Sequence, residues 1–173
     1  MEEIEVKIIE IVVGKTIERL DALGATKVFE GPLSTVHLDF ANNELKKKGK
    51  MLRIRQKDGK CIITLKVKKK DPEAKVMDEF ETEVKKPDEI YEIFSKLGLI
   101  VIAKDSKKRI SYRLKNSLVE INTYEGIPPF LEVESPNKDE MKEIVGLLGY
   151  DMKDTRTWDG GELLEHYRKK KTK

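Results

Sequence analysis

The feature that most constrains the fold is a repeated alternation of charged and apolar residues with a period of two. In residues 3–8 (Glu-Ile-Glu-Val-Lys-Ile), and again in 61–68, every second side chain is apolar. Successive side chains of a β-strand point to opposite faces of a sheet, so this period predicts strands with one apolar and one charged face. The candidate strands are residues 3–8, 28–30, 35–40, 51–55, 61–68, 79–84, 99–103, 107–114, 118–124 and 130–134. Short polar turns such as Asp58-Gly59 join most of them, which favours antiparallel pairing.

Helical patterns interrupt the strands at four places. Residues 16–23 form an amphipathic turn-by-turn pattern, and Pro87 begins a second helix. Asn137 and Glu140 have the spacing of a capping box ahead of a third helix. Residues 155–167 are predicted to form a fourth. Together with the strands, these helices indicate an α+β fold.

The composition narrows the class of protein. The 173 residues are predicted to form one domain, and 39% of them are charged. The 35 basic and 32 acidic residues nearly cancel, which excludes a simple basic coat for polyanions. One cysteine excludes an intramolecular disulfide framework, and two histidines are too few for a Cys/His zinc site. We see no signal peptide and no apolar run near the ~20 residues of a membrane span, and we therefore expect a soluble cytoplasmic protein.

Residues of like charge share strand faces. Residues two apart lie on one face, so the following sets each lie together: Arg53 and Arg55; Lys66 and Lys68; Lys107 and Arg109; Glu79, Glu81 and Glu83; Glu132 and Glu134. One interpretation is a sheet with an ordinary solvated face. The other is a closed barrel with a charged interior and helices packed outside. Such an interior would suit a polyanion held with a divalent metal, because carboxylates bind Mg²⁺ or Mn²⁺ while Arg and Lys bind phosphate oxygens.

Several of these segments match a known family in order along the chain. They are Glu3-x-Glu5-x-Lys7, Leu52-Arg53-Ile54-Arg55, Thr64-Leu65-Lys66, Glu81-x-Glu83, Lys107-x-Arg109-x-x-Tyr112 and Glu132-Val133-Glu134. The set resembles the signature of the CYTH superfamily, the triphosphate tunnel metalloenzymes. The resemblance covers nearly the whole chain and implies one domain over residues 1–173. It also implies a closed eight-stranded antiparallel β-barrel, or tunnel, with helices packed outside.

The resemblance further implies roles for individual residues. Metal-binding carboxylates would be Glu3, Glu5, Glu132 and Glu134. Triphosphate would be held by Lys7, Arg53, Arg55, Lys66, Lys107 and Arg109. Water would be oriented or deprotonated by a carboxylate, with Glu81, Glu83 and Glu120 as candidates. The implied cofactor is Mg²⁺ or Mn²⁺. Lys75 is left out of the site, because it follows a turn-like stretch.

Two departures from the family pattern affect the predicted reaction. Asn122 stands where the family often has Asp, and an amide is a weaker metal ligand and no general base. Residues 35–43 replace the Tyr-Phe-x-His-Pro segment that class IV adenylyl cyclases of this superfamily usually carry. This difference favours a triphosphatase over a cyclase.

Three functions are therefore carried forward. The first is metal-dependent hydrolysis of inorganic triphosphate, thiamine triphosphate or a nucleoside triphosphate. The second uses the same phosphate contacts to cyclise ATP to cyclic AMP. The third is a non-catalytic module that binds polyphosphate or RNA phosphates, which the run Lys46-Lys47-Lys48 allows. We expect a small-molecule triphosphate as partner, neither a membrane nor a nucleic acid, and leave a homodimer open.

Overall fold

The computed structural model describes residues 2–71 and 73–171, with side chains for 4–71 and 73–170. The strands are β1 (Glu2–Ile8), β2 (Thr26–Phe40), β3 (Lys50–Lys57), β4 (Lys60–Lys68), β5 (Lys75–Val84), β6 (Leu99–Leu114), β7 (Ser117–Tyr124), β8 (Phe130–Ser135) and β9 (Thr155–Arg156). The helices are α1 (Val13–Ala22), α2 (Glu44–Lys47), α3 (Pro87–Lys96), α4 (Lys138–Leu147) and α5 (Gly160–Lys171), with a 3-10 turn at Met152–Asp154. None of the helices in these described ranges is long and apolar enough to span a membrane.

The strands form one sheet whose hydrogen-bonded order closes. The order is β5-β4-β3-β2-β6-β7-β8-β1-β9, and β5 also pairs with β1. The pairings β1–β8, β2–β3, β3–β4, β4–β5 and β7–β8 are antiparallel. The predicted α+β class and closed eight-stranded antiparallel barrel are confirmed. The two-residue strand β9, which pairs antiparallel with the end of β1, is an addition that the sequence pattern did not predict.

The chain divides into two compact units, and each is described separately. Unit 1 contains residues 31–69 and 77–107, and unit 2 contains residues 3–30, 70–76 and 108–173. The long strands β2 and β6 each contribute residues to both units.

Unit 1 is a sheet with one apolar face and one polar face. Leu38, Ile54 and Cys61 form the buried centre of the apolar face, and Ile90 and Phe94 of α3 pack against them. This arrangement follows from the period of two in β2, β3 and β4, because all their apolar side chains point toward the same helix. The polar side chains of these strands therefore share the opposite face.

Unit 2 contains the larger apolar cluster. Val6, Val119 and Val133 are fully buried and lie opposite one another across β1, β8 and β7. Leu20 of α1 and Ile144 of α4 belong to the same cluster. A second cluster joins Leu163 and Tyr167 of α5 to Phe130 of β8. The charged residues that alternate with these valines consequently point away from the apolar cluster.

Three predicted elements differ from those observed. Residues 28–30 and 35–40 belong to the single strand β2, because Pro32 tolerates extended backbone, and residues 99–103 and 107–114 likewise form the single strand β6. The predicted helix over 155–167 is wrong at its start, since β9 occupies 155–156 and α5 begins at Gly160. The Asn137 side chain caps α4 by accepting from the Glu140 N–H at 2.8 Å. The Glu140 carboxylate, however, accepts from the Ser117 hydroxyl at 2.7 Å.

Candidate functional site

A row of charged residues crosses three neighbouring strands of unit 2. Lys7 of β1 lies opposite Glu132 of β8, and Glu132 lies opposite Glu120 of β7. Residues directly opposite in an antiparallel pair point to the same face, so these three side chains lie side by side. Glu5 and Glu134 form the adjacent pair on that face.

These residues form a continuous chain of ion pairs, which we call the unit 2 network. It consists of Glu5, Lys7, Lys75, Arg109, Glu120 and Glu132. Lys7 Nζ contacts the Glu5 carboxylate and lies 3.0 Å from Glu132 Oε1. Lys75 Nζ lies 3.0 Å from Glu5 Oε2, and an Arg109 Nη lies 2.6 Å from Glu132 Oε2. The network thus holds three cations and three carboxylates, and its formal charges cancel.

Arg109 connects two of these carboxylates and the amide Asn122. Its second Nη contacts the Glu120 carboxylate, and its Nε donates to Asn122 Oδ1 at 2.7 Å. Burial lowers the pKa of Arg109, but Glu120 and Glu132 more than compensate, so the pKa is raised. The Ser111 hydroxyl donates to Glu120 at 3.0 Å and fixes the orientation of that carboxylate. Arg109 therefore stays charged and holds both glutamates in place.

The polar face of unit 1 carries a second charged group, which we call the unit 1 face. It consists of Arg53, Arg55, Lys66, Glu79 and Glu81. Arg53 donates to Glu79 at 3.3 Å, and Lys66 Nζ lies 3.1 Å from the same carboxylate. The Thr64 hydroxyl donates to Glu81 at 3.1 Å. The Arg53 Nε is buried and has no hydrogen-bond partner among the described residues. Two cations thus share one carboxylate here.

The structure brings the residues predicted for the site together in two groups. Glu5, Lys7, Arg109, Glu120 and Glu132 join the unit 2 network, with Glu134 beside them. Arg53, Arg55, Lys66 and Glu81 lie on the unit 1 face.

Three other predicted residues lie apart from these groups or outside the description. Glu83 is exposed and pairs with Lys60 at 3.0 Å. Lys107 is half-buried on β6. The side chain of Glu3 lies outside the described residues.

Sequence reasoning missed two members of these groups. Lys75 was excluded as part of a turn, yet β5 begins at this residue and its ammonium contacts Glu5. Glu79 was placed on the correct face but given no role, although it contacts both Arg53 and Lys66. The alternation in β5 could have identified Glu79, because it lies directly opposite Lys66 once the strands are paired. No local signal identified the partner of Lys75.

The donor atoms of the unit 2 network fit a divalent cation. Glu5 and Glu132 both contact the Lys7 ammonium, so their oxygens converge on a position that one cation occupies. Hard carboxylate oxygens suit Mg²⁺ and Mn²⁺, and Mg²⁺ usually takes one or two carboxylates together with water and phosphate oxygens. Among the described residues, no group of three or more His, Cys, Asp or Glu forms a metal site by itself. The carboxylates present would therefore hold an ion jointly with a phosphate ligand.

Comparison with known proteins adds a family and several relatives. The sequence profile of the family described as the CYTH domain matches residues 1–156. A protein of Methanocaldococcus jannaschii named "Putative adenylate cyclase" is 27% identical over 157 residues, which cover 86% of this chain and 90% of that protein.

Two solved archaeal structures share the fold. A conserved hypothetical protein from Pyrococcus furiosus has a TM-score of 0.78 and 25% identity, with 93% of this chain and 99% of that chain covered. A protein from Pyrococcus horikoshii has a TM-score of 0.76 and 27% identity, with 91% and 96% covered. The fold and the sequence likeness therefore extend over nearly the whole of these relatives.

Proposed function

Because this chain belongs to the CYTH domain family, we propose that it is a metal-dependent hydrolase of a triphosphate. The substrate class is inorganic triphosphate, thiamine triphosphate or a nucleoside triphosphate. The implied cofactor is Mg²⁺ or Mn²⁺, and the reaction transfers the terminal phosphoryl group to water.

The observation that carries this proposal is the burial of the unit 2 network. Lys7 is 1% exposed, and Glu5 and Arg109 are also buried. Taking a charge out of water costs several kcal/mol, and a buried ion pair is often no more stable than apolar residues of similar volume. Val6 and Val133, the neighbours of these residues in sequence, show that apolar packing is available on the same strands. The charged row is therefore better explained by a ligand than by stability.

A polyphosphate would be bound by exchange of partners. If phosphate oxygens take Lys7 and Arg109, the carboxylates of Glu5, Glu120 and Glu132 lose their buried cations. An unpaired buried carboxylate is costly, so a divalent cation is needed to compensate them. The metal would neutralise these carboxylates and the phosphate oxygens together. This argument supports a requirement for both ligands, since neither alone restores the balance of charge.

The roles proposed for individual residues follow the resemblance and the contacts. Phosphate binding is proposed for Lys7, Arg53, Arg55, Lys66, Lys107 and Arg109. Metal binding is proposed for Glu3, Glu5, Glu132 and Glu134. Lys75 joins the cations, because it contacts Glu5 in the same network. No covalent nucleophile is required, because phosphoryl transfer depends mainly on positioning and charge stabilisation.

Three carboxylates are proposed to orient the attacking water. Glu120 is favoured, because the Ser111 hydroxyl and Arg109 fix its position while it is buried. Glu81 is the second candidate and is oriented by the Thr64 hydroxyl. Glu83 is the third, and its exposed pairing with Lys60 makes it the weakest of the three. Asn122 instead accepts from Arg109 and donates to Glu132 at 3.0 Å, which is an orienting role that an amide can perform.

A second candidate function is cyclisation of ATP to cyclic AMP and pyrophosphate. The name of the Methanocaldococcus jannaschii relative favours it. The attacking group would be the ribose 3′-hydroxyl, and the phosphate contacts would be the same. A non-catalytic polyphosphate or RNA-phosphate binder is the third candidate. Many buried carboxylates argue against it, because a pure binder of anions has no use for them.

One screen separates the three candidates. The protein is incubated with inorganic triphosphate, thiamine triphosphate and ATP, each with Mg²⁺, Mn²⁺ or EDTA. Free phosphate and cyclic AMP are then measured in parallel. Phosphate release that stops in EDTA supports the hydrolase, and cyclic AMP with pyrophosphate supports the cyclase. Binding of polyphosphate without turnover under either metal would support the binder and contradict the proposal.

A pair of variants tests the site itself. Glu132→Gln removes one carboxylate that contacts both Lys7 and Arg109. We expect turnover to fall at least ~100-fold, about 2.7 kcal/mol of transition-state stabilisation. Glu125→Gln is the control, because Glu125 is an exposed residue of unit 2. Equal turnover in the two variants, with both folded by circular dichroism, would mean that the site is wrongly placed.

A further inference from the structure

Exposed apolar residues are concentrated in one part of unit 1. Six of the nine large apolar residues that are exposed in the described chain lie between residues 80 and 102. They are Phe80, Ile93, Leu97, Ile100, Val101 and Ile102, which we call the apolar patch, and each exposes 44–64% of its surface. Single exposed apolar residues are ordinary, but a concentration of this kind marks an interaction surface.

The chain makes most of this patch continuous. Ile93 and Leu97 are four residues apart and lie on one side of α3 and its C-cap. Gly98 follows with a φ of 87°, and β6 begins at once with Leu99. Ile100 and Ile102 point to one face of β6 and Val101 to the other, and all three are exposed. The patch therefore combines one side of a helix with the strand directly after it.

The charges beside Ile93 are arranged so that the helix is complementary to its own copy. Glu89 lies four residues before Ile93, and Lys96 lies three residues after it, so both flank the same side of α3. Both are exposed, and Glu89 also accepts from Lys86 at 2.6 Å within the chain. When two copies of α3 pack antiparallel about Ile93, Glu89 of each faces Lys96 of the other. Antiparallel packing also opposes the two helix dipoles favourably.

We propose that the apolar patch is the interface of a homodimer with a two-fold axis beside Ile93. A two-fold interface uses the same surface on both copies, so it requires a surface that is complementary to itself. The apolar residues form its centre, and Glu89 and Lys96 form its charged rim. A different partner would need no such self-complementary order of charge. This inference does not depend on the proposed function.

The first experiment measures the mass of the full chain in solution. Sedimentation equilibrium from about 1 to 100 µM covers the affinities expected for an interface of standard size. We expect the mass to approach twice the 20.0 kDa of one chain as concentration rises. A monomer throughout this range would overturn the proposal.

Substitutions then locate the interface. Leu97→Glu should raise the dissociation constant at least ~tenfold, because it puts a charge into the apolar centre. Val12→Glu is the control, because Val12 is a similarly exposed apolar residue of unit 2. Both positions are at the surface, so both variants are expected to fold. A dimer unaffected by Leu97→Glu, or weakened equally by Val12→Glu, would contradict the assignment.

A charge swap tests the antiparallel register. Glu89→Lys and Lys96→Glu should each weaken the dimer, because each puts like charges opposite one another. The double variant restores the pair with its signs reversed and should recover most of the lost affinity. Two single losses that add instead of cancelling in the double variant would contradict this packing.

Discussion

In unit 2, three carboxylates meet three cations in a buried network, whereas on the unit 1 face Arg53 and Lys66 both contact Glu79. The unit 2 cations Lys7 and Arg109 are at most 7% exposed. The side chains of Arg53 and Glu79 are 13% and 19% exposed, and Glu81 is exposed. The first group is balanced and dry, and the second has more cation than carboxylate in contact and is partly hydrated.

This difference assigns different costs to the same ligand. Phosphate oxygens that bind Arg53 leave a carboxylate that water still reaches. Phosphate oxygens that bind Lys7 or Arg109 leave carboxylates that water scarcely reaches. Anion binding by the unit 1 face is therefore expected to need no compensating cation, and anion binding by the unit 2 network is expected to need one.

The largest expected effect breaks the comparison at Arg109. Arg109→Met removes the cation that contacts both Glu120 and Glu132, and it should destabilise the fold by about 3–5 kcal/mol because two buried carboxylates lose their partner. Arg53→Met on the unit 1 face should cost about 1 kcal/mol or less, since its contact with Glu79 is longer and more hydrated. Urea denaturation at pH 7 measures both values.

A matched double variant checks the cause of that loss. Glu120→Gln combined with Arg109→Met removes one of the two stranded charges and should recover part of the stability. Equal losses for Arg109→Met and Arg53→Met would mean that the two charged groups do not differ in the way described.

The second prediction concerns ligands and sharpens the same comparison. Inorganic triphosphate with Mn²⁺ should stabilise the protein more than the sum of the two ligands added singly. A ligand set that binds only the folded form contributes about 2.7 kcal/mol at a hundredfold excess over its dissociation constant. Thermal unfolding at matched ionic strength, with monophosphate as the control, measures the excess. Strictly additive shifts would contradict the exchange of partners proposed for the unit 2 network.

The smallest expected effect concerns a carboxylate that unit 1 stabilises by backbone N–H groups. Asp39 is 1% exposed and accepts from the N–H groups of Phe40, Leu45 and Lys46. Burial raises the pKa of Asp39, but these N–H groups outweigh it, so the pKa is lowered. A carboxyl whose pKa is lower in the folded state stabilises the fold above its unfolded pKa, about 3.9, and loses this contribution as the pH falls through the folded pKa.

Asp39→Asn should therefore cost about 1–2 kcal/mol at pH 7, and the difference from the unchanged protein should shrink below about pH 4. Chemical denaturation across pH 2.5–7 measures it. The control is Asp58→Asn in the β3–β4 turn, where φ is 50° and Asn-Gly is as favourable as Asp-Gly. A cost of Asp39→Asn that stays constant with pH would show that the carboxylate charge is not what stabilises α2.

The strands were largely predictable, because alternation is a local signal. The turn at Asp58-Gly59 is an example, since both residues have the positive φ that a two-residue hairpin needs. Helix α2 was missed, because four residues are too few to show a helical period. Its position depends on Asp39, whose carboxylate accepts from N–H groups several residues later in the chain. That contact exists only after β2 has formed.

The candidate site was predictable in membership and not in pairing. The alternation and the family resemblance identified Lys7, Glu132 and Arg109, but strand register decides which of them meet. Lys75 shows the limit, because its partner Glu5 lies 70 residues earlier in the chain. Burial also depends on register, and it is burial that separates Glu120 from the exposed Glu83 as candidates for the same role.

The internal pairing of Lys7 and Arg109 also bears on how the proposed enzyme would finish its cycle. Glu5, Glu120 and Glu132 are tethered anions that compete with any bound phosphate for the same cations. A triphosphate engages more of these cations at once than the shorter phosphates left after hydrolysis. The carboxylates should therefore displace products more readily than substrate, and pyrophosphate should inhibit at a higher concentration than triphosphate binds. In this sense the protein carries its own eluent, positioned where the product must leave.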